Sequence, residues 1–163
     1  MDTLQILSHI FRALDTAVAG YDVYKVETIG DVYMVASGVP VHNGHRHANE
    51  ICLMASKMLK QFRRSTVLGR LSLYLRGGVH SGSCAAGVVG LNRPRYCLFG
   101  DTVNVASRVC ANSEADKIQL SLPTAEILRE HFPEIQLEPR GVIHLKGRGE
   151  MQTFWLQQKA VEI

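Results

Sequence analysis

The sequence lacks the features that mark several large classes of protein. Its 163 residues include four cysteines with no Cys-x-x-Cys spacing, which argues against a zinc module or a disulfide framework and suits a reducing cytosol. No apolar run approaches the roughly 20 residues that a membrane helix needs, and the N-terminal segment does not have the layout of a signal peptide. We therefore expect a soluble chain without disulfides.

The charged and hydrophobic residues limit the kinds of ligand and fold that the sequence suits. The formal net charge of +3 is spread along the chain without a basic block, which gives weak support for an anionic ligand and little for a nucleic-acid partner. His42, His45 and His47 lie in one polar stretch; a metal site is possible in principle, but we favour a solvated loop that leads into a helix. With 46% hydrophobic residues, residues 1–163 are expected to form one domain with its own core.

Helices and strands are predicted to interleave. Helical periodicity marks residues 3–18 and 47–62, and shorter helices are predicted at 102–112, with Thr102 as the N-cap, and at 124–131. Strands are predicted at 23–28, 32–37, 71–80, 83–90, 95–99, 118–121, 135–138, 141–146 and 152–157. We expect the strands at 71–80 and 83–90 to pair, in an α/β or α+β fold around a mainly antiparallel sheet.

The predicted hairpin VYKVETIGDVYMVAS, residues 23–37, carries two acidic side chains. Asp31 suits a Gly-Asp turn, whereas Glu27 lies among apolar and β-branched neighbours, where a solvated charge is not expected. A carboxylate beside a turn glycine lets a cation and a phosphate approach the backbone. Turn aspartates more often serve local hydrogen bonding, so the hairpin alone leaves both interpretations open.

Three other segments suit a phosphorylated ligand. In RPRYCLFGDTVNVASR, residues 93–108, Asn104 and Arg108 share a face of the predicted helix and could hold a ribose oxygen and a phosphate. Lys146 precedes the Gly-x-Gly turn of RGVIHLKGRGE, residues 140–150, as a phosphate-binding lysine could. The small residues of HSGSCAAGVVG, residues 80–90, permit close approach. Taken singly, each has a structural explanation: a solvated stripe, a β-turn and tight packing.

The four segments occur in the order KVETIGD, GVHSG…AGVVG, PRYCLFGDTVNVASR and RG…KGRG. This order resembles the class III nucleotide cyclases and, in detail, the catalytic domain of receptor-type guanylyl cyclases, from about residue 4 to residue 157. The resemblance implies a ferredoxin-like α/β domain that acts as a head-to-tail dimer with sites in the interface cleft. It also implies conversion of GTP to cyclic GMP and pyrophosphate with two Mg²⁺ or Mn²⁺ ions.

The resemblance gives roles to the residues around the metal and the base. Asp31 matches the metal-binding aspartate of the family's hairpin turn. Glu27 matches the residue that reads the guanine edge, and Cys97 matches its companion in the base pocket. Arg95 is expected to border that pocket. A carboxylate can accept from the guanine N1–H and exocyclic amine, which adenine does not offer, so a wrong base would leave buried polar groups unpaired.

Three further matches concern the ribose and the phosphates. Asn104 and Arg108 match the pair that orients the ribose and stabilises the pentavalent phosphorus, and Lys146 matches the lysine on the outer phosphates. In the implied mechanism the 3′-hydroxyl attacks the α-phosphorus in line, one metal lowers the pKa of that hydroxyl, and the other neutralises the triphosphate. We do not expect Glu27, Asp31 and Cys97 all to face the site that contains Asn104 of the same chain. Each site should therefore need two chains, and a homodimer is the default expectation.

One residue of the family pattern has no counterpart. The family carries its other metal-binding aspartate on a strand before the first helix, in a segment similar to DIVGFT, whereas this sequence starts with the helix at 3–18. We therefore expect a domain truncated at its N-terminus. The alternative function is a cyclase-like module that dimerises or binds nucleotide without turnover. A weaker alternative, a diguanylate cyclase, is disfavoured by the motif at 94–108 and by the Gly-Asp turn without a following Glu.

The resemblance also implies partners and a location. GTP and a second cyclase domain are the expected partners, and no nucleic acid is expected. Receptor-type relatives place this domain on the cytosolic side of the plasma membrane. We therefore expect a cytoplasmic domain that reaches the membrane only through segments outside this sequence.

Overall fold

The computed structural model describes residues 2–64, 71, 73–92 and 95–158. The helices are α1 (Thr3–Val18), α2 (Arg46–Arg64), α3 (Asp101–Ala111) and α4 (Leu122–His131). The strands are β1 (Tyr24–Ile29), β2 (Val32–Ala36), β3 (Gly77–Val79), β4 (Ala85–Val89), β5 (Arg95–Phe99), β6 (Ile118–Ser121), β7 (Leu137–Leu145) and β8 (Gly149–Leu156). The side chains of Ile29, Arg95 and Tyr96 lie outside what the structure describes.

The strands form two hairpins and one larger sheet. β1 pairs with β2 and β4 pairs with β5, both antiparallel, while the larger sheet has the order β3-β6-β8-β7. In the described part of the chain β3–β6 is the single parallel pair, and no ladder joins the β1–β2 hairpin to the larger sheet. The predicted α+β class with mainly antiparallel pairing is confirmed.

The predicted pairing of 71–80 with 83–90 is wrong. β3 occupies only Gly77–Val79 and pairs with β6, while β4 pairs with β5. Residues 71 and 73–76 are not in a strand, and residue 72 of this prediction lies outside the described residues. Alternation of side chains predicts which face of a strand is buried, but it does not identify the neighbouring strand.

Two other predictions need correction in detail. The strands predicted at 135–138 and 141–146 are one strand, β7, which is interrupted by a bulge between Pro139 and Gly141. Thr102 is not the N-cap of α3: the helix begins after Gly100, whose φ of 116° favours glycine. The Thr102 hydroxyl instead donates to the Ser83 carbonyl at 2.6 Å, which ties the helix to the β3–β4 connection.

Three buried clusters hold the layers together. The largest joins α2 and α4 to the larger sheet, with Leu59, Leu128 and Phe154 near its centre. A second packs α1 on α2 beneath the β1–β2 hairpin, around Leu14 and Met54. The third seats α3 on the far end of β7, through Val105, Val109, Ile143 and Leu145.

None of the helices in the described part of the chain is long and apolar enough to cross a membrane.

Candidate active site

Helix α3 carries Asn104 and Arg108 on the face next to its buried one. Val105 and Val109 are completely buried against β7, so Asn104 is left exposed and Arg108 half-buried. The strand β3 passes behind the helix at very close range, because a Cβ atom at Gly78 would lie 2.1 Å from the Cys110 amide nitrogen. Only glycine permits this approach, which fixes where α3 crosses the sheet.

The turn between β7 and β8 is tied to both ends of this helix face. The Arg108 guanidinium donates to the backbone carbonyl of Lys146. Two residues further on, Arg148 forms an ion pair with Asp101 in the first turn of α3. The structure therefore brings the predicted phosphate residues Arg108 and Lys146 together, with the Lys146 side chain exposed.

A half-buried histidine, His80, lies within reach of the Arg148 charge of the same turn. His80 Nδ1 lies 2.7 Å from the Ser121 hydroxyl, and Ser121 is completely buried. Burial lowers the pKa of His80, and the nearby positive charge of Arg148 lowers it further. Arg108 and the exposed Lys146 carry positive charges suited to a polyphosphate, while Arg148 on the same turn is paired with Asp101.

Sequence reasoning singled out neither His80 nor the Asp101–Arg148 pair. The available signal was the position of Arg148 between Gly147 and Gly149 of the turn. Its partner Asp101 is 47 residues away in sequence, a separation over which only tertiary structure shows the contact.

The β1–β2 hairpin presents its two carboxylates at different depths. Gly30 has a φ of 59° and forms the turn with Asp31, which is exposed. Glu27 is half-buried and lies opposite Met34, just after a bulge that begins at Lys25. The observed burial fits the expectation that Glu27 is not a solvated surface charge.

Helix α1 holds this hairpin through a residue that the sequence did not single out. Asp15 accepts from the Tyr33 hydroxyl and from Lys25 Nζ, the latter at 2.9 Å. The hydrogen bond from Tyr33 is the main reason why the pKa of Asp15 is lowered, and the Lys25 charge adds to it against the opposing effect of burial. Lys25 is thus engaged with α1.

Cys97 lies on the hairpin that adjoins β1. It is half-buried in β5, opposite Gly87 of β4, and β5 packs against β1, the strand of Glu27. The two residues predicted to read the base therefore lie on contacting strands. The backbone of Arg95 pairs with Val89 in β5, but its side chain lies outside the described residues.

The structure gives limited support for a metal site within one chain. Over the described residues, no group of three His, Cys, Asp or Glu side chains could hold a metal ion. Asp31 is one exposed carboxylate at a turn. The histidine stretch leads into α2 as we favoured: His42 is exposed, and the ring of His45 stacks on that of His131 at 4.0 Å.

Comparison with known proteins identifies the family. Residues 1–158 match the adenylate and guanylate cyclase catalytic domain. The chain belongs to this family. In an alignment 163 residues long it is 48% identical to the receptor-type guanylate cyclase gcy-8 of Caenorhabditis elegans, and the alignment covers 96% of this chain and 14% of that relative. The cyclase chain thus spans only about a seventh of the length of this receptor-type relative.

Solved cyclase domains share the fold. The guanylate cyclase domain of RhGC from Catenaria anguillulae, solved in complex with GTP, superimposes with a TM-score of 0.87 at 32% identity and covers 98% of this chain and 87% of its own. The non-canonical dimeric guanylyl cyclase domain of RhoGC from Blastocladiella emersonii gives 0.83 at 32% identity, with 97% and 86% covered.

These matches confirm the resemblance drawn from the sequence. The chain belongs to the adenylate and guanylate cyclase catalytic domain family and is homologous to the receptor-type guanylyl cyclases. The alternative of a module without turnover is not specifically supported by any of them, and the family match also favours this assignment over a diguanylate cyclase.

Proposed function

We propose that residues 1–163 form one catalytic domain that converts GTP to cyclic GMP and pyrophosphate as half of a dimer. The observation that carries this proposal is the convergence of Arg108 with the Lys146 turn beside the exposed Asn104, in a chain of this family. One polar helix face and one cationic turn are thus in contact. This arrangement suits a substrate that has both a ribose and a triphosphate.

Each of these side chains has a separate role in the cyclisation. Lys146 binds the outer phosphates, and the Asp101–Arg148 pair keeps its turn against α3. Asn104 orients the ribose so that the 3′-oxygen faces the α-phosphorus. A bond forms between these two atoms, the bond from the α-phosphorus to the bridging oxygen breaks, and the 3′-hydroxyl proton passes to solvent. Arg108 stabilises the charge that develops on the α-phosphoryl oxygens.

The base is selected by the two contacting hairpins. We assign Glu27 to the guanine N1–H and exocyclic amine, with Cys97 beside the same edge and Arg95 at the border of the pocket. The half-buried position of Glu27 and the packing of β1 on β5 support this assignment. A partly desolvated carboxylate discriminates strongly, because a base that cannot donate leaves it unpaired.

Members of this family use divalent metal ions, and we assign Asp31 as one ligand of Mg²⁺ or Mn²⁺. The described residues of one chain do not fit a complete two-metal site, because they offer no cluster of three ligands. When bound, a divalent ion would neutralise charge on the triphosphate. The roles of Asn104, Arg108 and Lys146 given above do not depend on that ion.

A second copy of the chain is the proposed partner, arranged head to tail. The β4–β5 hairpin and the loop between its strands expose apolar side chains, among them Val88 at 69%, Val89 at 50% and Leu91 fully. Such a patch is typical of a protein–protein contact, and a related cyclase domain has been solved as a dimer. By analogy with the receptor-type relative, the domain is proposed to work on the cytosolic face of the plasma membrane within a longer protein.

The test is cyclic GMP formation by wild type, Arg108→Ala and Ser107→Ala with Mn²⁺-GTP. Arg108→Ala should lower kcat by about 10²-fold or more with a modest change in KM, because the guanidinium acts on charge present only in the transition state. Ser107, its exposed neighbour on α3, is the matched control and should behave like wild type. An Arg108→Ala variant as active as wild type would place the transition-state role elsewhere.

A further inference from the structure

A bulge in β7 directs one arginine towards the catalytic helix. Pro139 pairs with Phe154 and Gly141 pairs with Thr153, so Arg140 between them has no partner on β8. Gly141 has a φ of 127°, and the buried Thr153 hydroxyl donates to its carbonyl at 2.8 Å, which fixes the bulge. Bulges of this kind redirect a side chain and are frequent beside active sites.

The Arg140 guanidinium lies between a ring and the end of α3. Its central carbon is 4.8 Å from the centre of the Trp155 ring, and Nη1 donates to the carbonyl of Asn112, the C-cap of the helix. Asn112 is itself attached to Arg108, because its backbone and side-chain amides both donate to the Arg108 carbonyl, at 3.0 and 2.9 Å. A continuous chain of contacts therefore runs from Trp155 to the backbone of Arg108.

Arginine suits this position better than another cation. Its flat guanidinium can stack on an aromatic ring and still donate a hydrogen bond, because its N–H groups point outward in the guanidinium's own plane. A positive charge is also favoured at a helix C-terminus, where carbonyls lack intrahelical partners. Lys117 provides an internal comparison: its ammonium lies 4.9 Å over the same Trp155 ring, but it pairs with Glu114 at 3.3 Å.

We propose that Arg140 is a positioning residue that holds the last turn of α3, and with it the Arg108 guanidinium, in the geometry needed for cyclisation. This inference rests on the proposed role of Arg108. Without Arg140 the Asn112 carbonyl loses this donor, and the end of the turn that carries Arg108 is held less firmly. A displacement of about 1 Å at a catalytic group can cost about 10²-fold in rate. The proposed base-reading residues are on β1 and β5, so GTP binding is little affected.

The experiment compares Arg140→Ala, Arg140→Lys and the matched control Lys117→Ala in the full chain. Four quantities are measured: kcat and KM for Mn²⁺-GTP, the thermal midpoint, and amide hydrogen exchange over residues 108–113. Arg140→Ala should lower kcat by about 10- to 100-fold with KM changed less than about threefold, and should speed exchange in that turn. Arg140→Lys should recover part of the rate, because it keeps the charge without the flat stack. Lys117→Ala should match wild type in rate and exchange.

Three results would overturn the inference. These are wild-type kcat in Arg140→Ala, a rate loss that merely follows the unfolded fraction, or an equal loss in Lys117→Ala. Failure of the proposed function is distinguishable, because wild type itself would then form no cyclic GMP. In that case hydrogen exchange alone tests whether Arg140 anchors the helix. Unchanged exchange at residues 108–113 in Arg140→Ala would refute that anchoring.

Discussion

At the scale of single residues, we propose that the choice between guanine and adenine depends on Glu27 and Cys97. Glu27 is half-buried, and a carboxylate in such a position can accept from both N–H groups of the guanine edge. Cys97, which we assign to the same base pocket, lies on the contacting strand β5. Exchanging both residues for a donor and an acceptor should therefore reverse the preference.

We predict that Glu27→Lys combined with Cys97→Asp shifts the enzyme from GTP towards ATP. Lysine can donate to adenine N1, and aspartate can accept from the adenine amino group, so both polar groups of the adenine edge have a partner. The measurement is the ratio of kcat/KM values for the two nucleotides, with Cys84→Asp on an exposed thiol as the control. An unchanged ratio in the double variant would refute the assigned base pocket.

His80 gives a second residue-scale prediction, on stability. Its pKa in the folded chain is lowered from the ordinary value of 6.5, mainly by burial and then by Arg148. The unfolded chain therefore binds more protons as pH falls through this range, and the free energy of unfolding decreases. Stability from this residue is present above about pH 6.5 and is lost towards lower pH.

His80→Gln should accordingly flatten the pH dependence of stability. We expect the difference in unfolding free energy between about pH 7.5 and pH 5.5 to become smaller than in wild type. Chemical denaturation at both pH values measures it, and His9→Gln, on the exposed side of α1, serves as the control. Identical pH dependence in wild type and His80→Gln would contradict the account of its burial.

At the scale of elements, the central contact is the crossing of β3 and α3. The two backbones meet so closely at Gly78 that a methyl group would overlap Cys110 and Val109. Neither backbone can rotate away as a side chain could, so the helix itself would have to move. This contact fixes the height of Asn104 and Arg108 over the sheet.

Gly78→Ala should destabilise the fold and displace α3. We expect a loss of at least about 2 kcal/mol in unfolding free energy, in the range known for overpacking. Gly87→Ala is the matched control, because a Cβ there meets nothing within 4 Å and its φ is not in the left-handed region. Equal stability of Gly78→Ala and Gly87→Ala, from denaturant midpoints, would argue against the close crossing.

The sequence predicts elements better than it predicts their neighbours. Helices α1 to α4 and most strands lie within a few residues of their predicted bounds, because hydrophobic spacing reports local structure directly. The pairing of β3 with β6 and the bulge at Arg140 depend on residues far apart in the chain. Thr102 satisfies a local rule for N-caps but bonds to Ser83 instead, a tertiary contact that overrides the rule.

The same division applies to the candidate site. Arg108 and Lys146 were predicted from their motifs, and the structure shows that they meet. Asp15 and Asp101 were not predicted, since each acts through a partner on another element. The sequence pattern thus pointed to groups that could touch a nucleotide, whereas the residues that hold those groups in place became visible only in the fold.

At the scale of the whole molecule, two chains are proposed to complete each site. In the head-to-tail arrangement, Asp31 of one chain would serve the site that contains Arg108 of the other. A mixture of two singly inactive chains can then form dimers with one intact site. Recovery of activity on mixing therefore distinguishes a site shared between two chains from a site formed within one chain.

Mixing Asp31→Asn with Arg108→Ala should restore activity. If the chains exchange freely, half of the dimers are mixed and each has one intact site, so about a quarter of wild-type activity is expected. Cyclic GMP formation is measured for each variant alone and for the mixture, with Arg108→Ala mixed with Asn104→Ala as the control that cannot complement. No gain over the separate variants would favour a site within one chain.

The most direct test of a guanine-specific cyclase is product formation by the purified chain at high concentration, with Mn²⁺-GTP beside Mn²⁺-ATP. The same assay is applied to a chain lengthened at its N-terminus by a strand that bears an aspartate. We predict that cyclic GMP is formed and that little cyclic AMP is. No cyclic GMP from either chain, or equal amounts of the two products, would contradict the assignment.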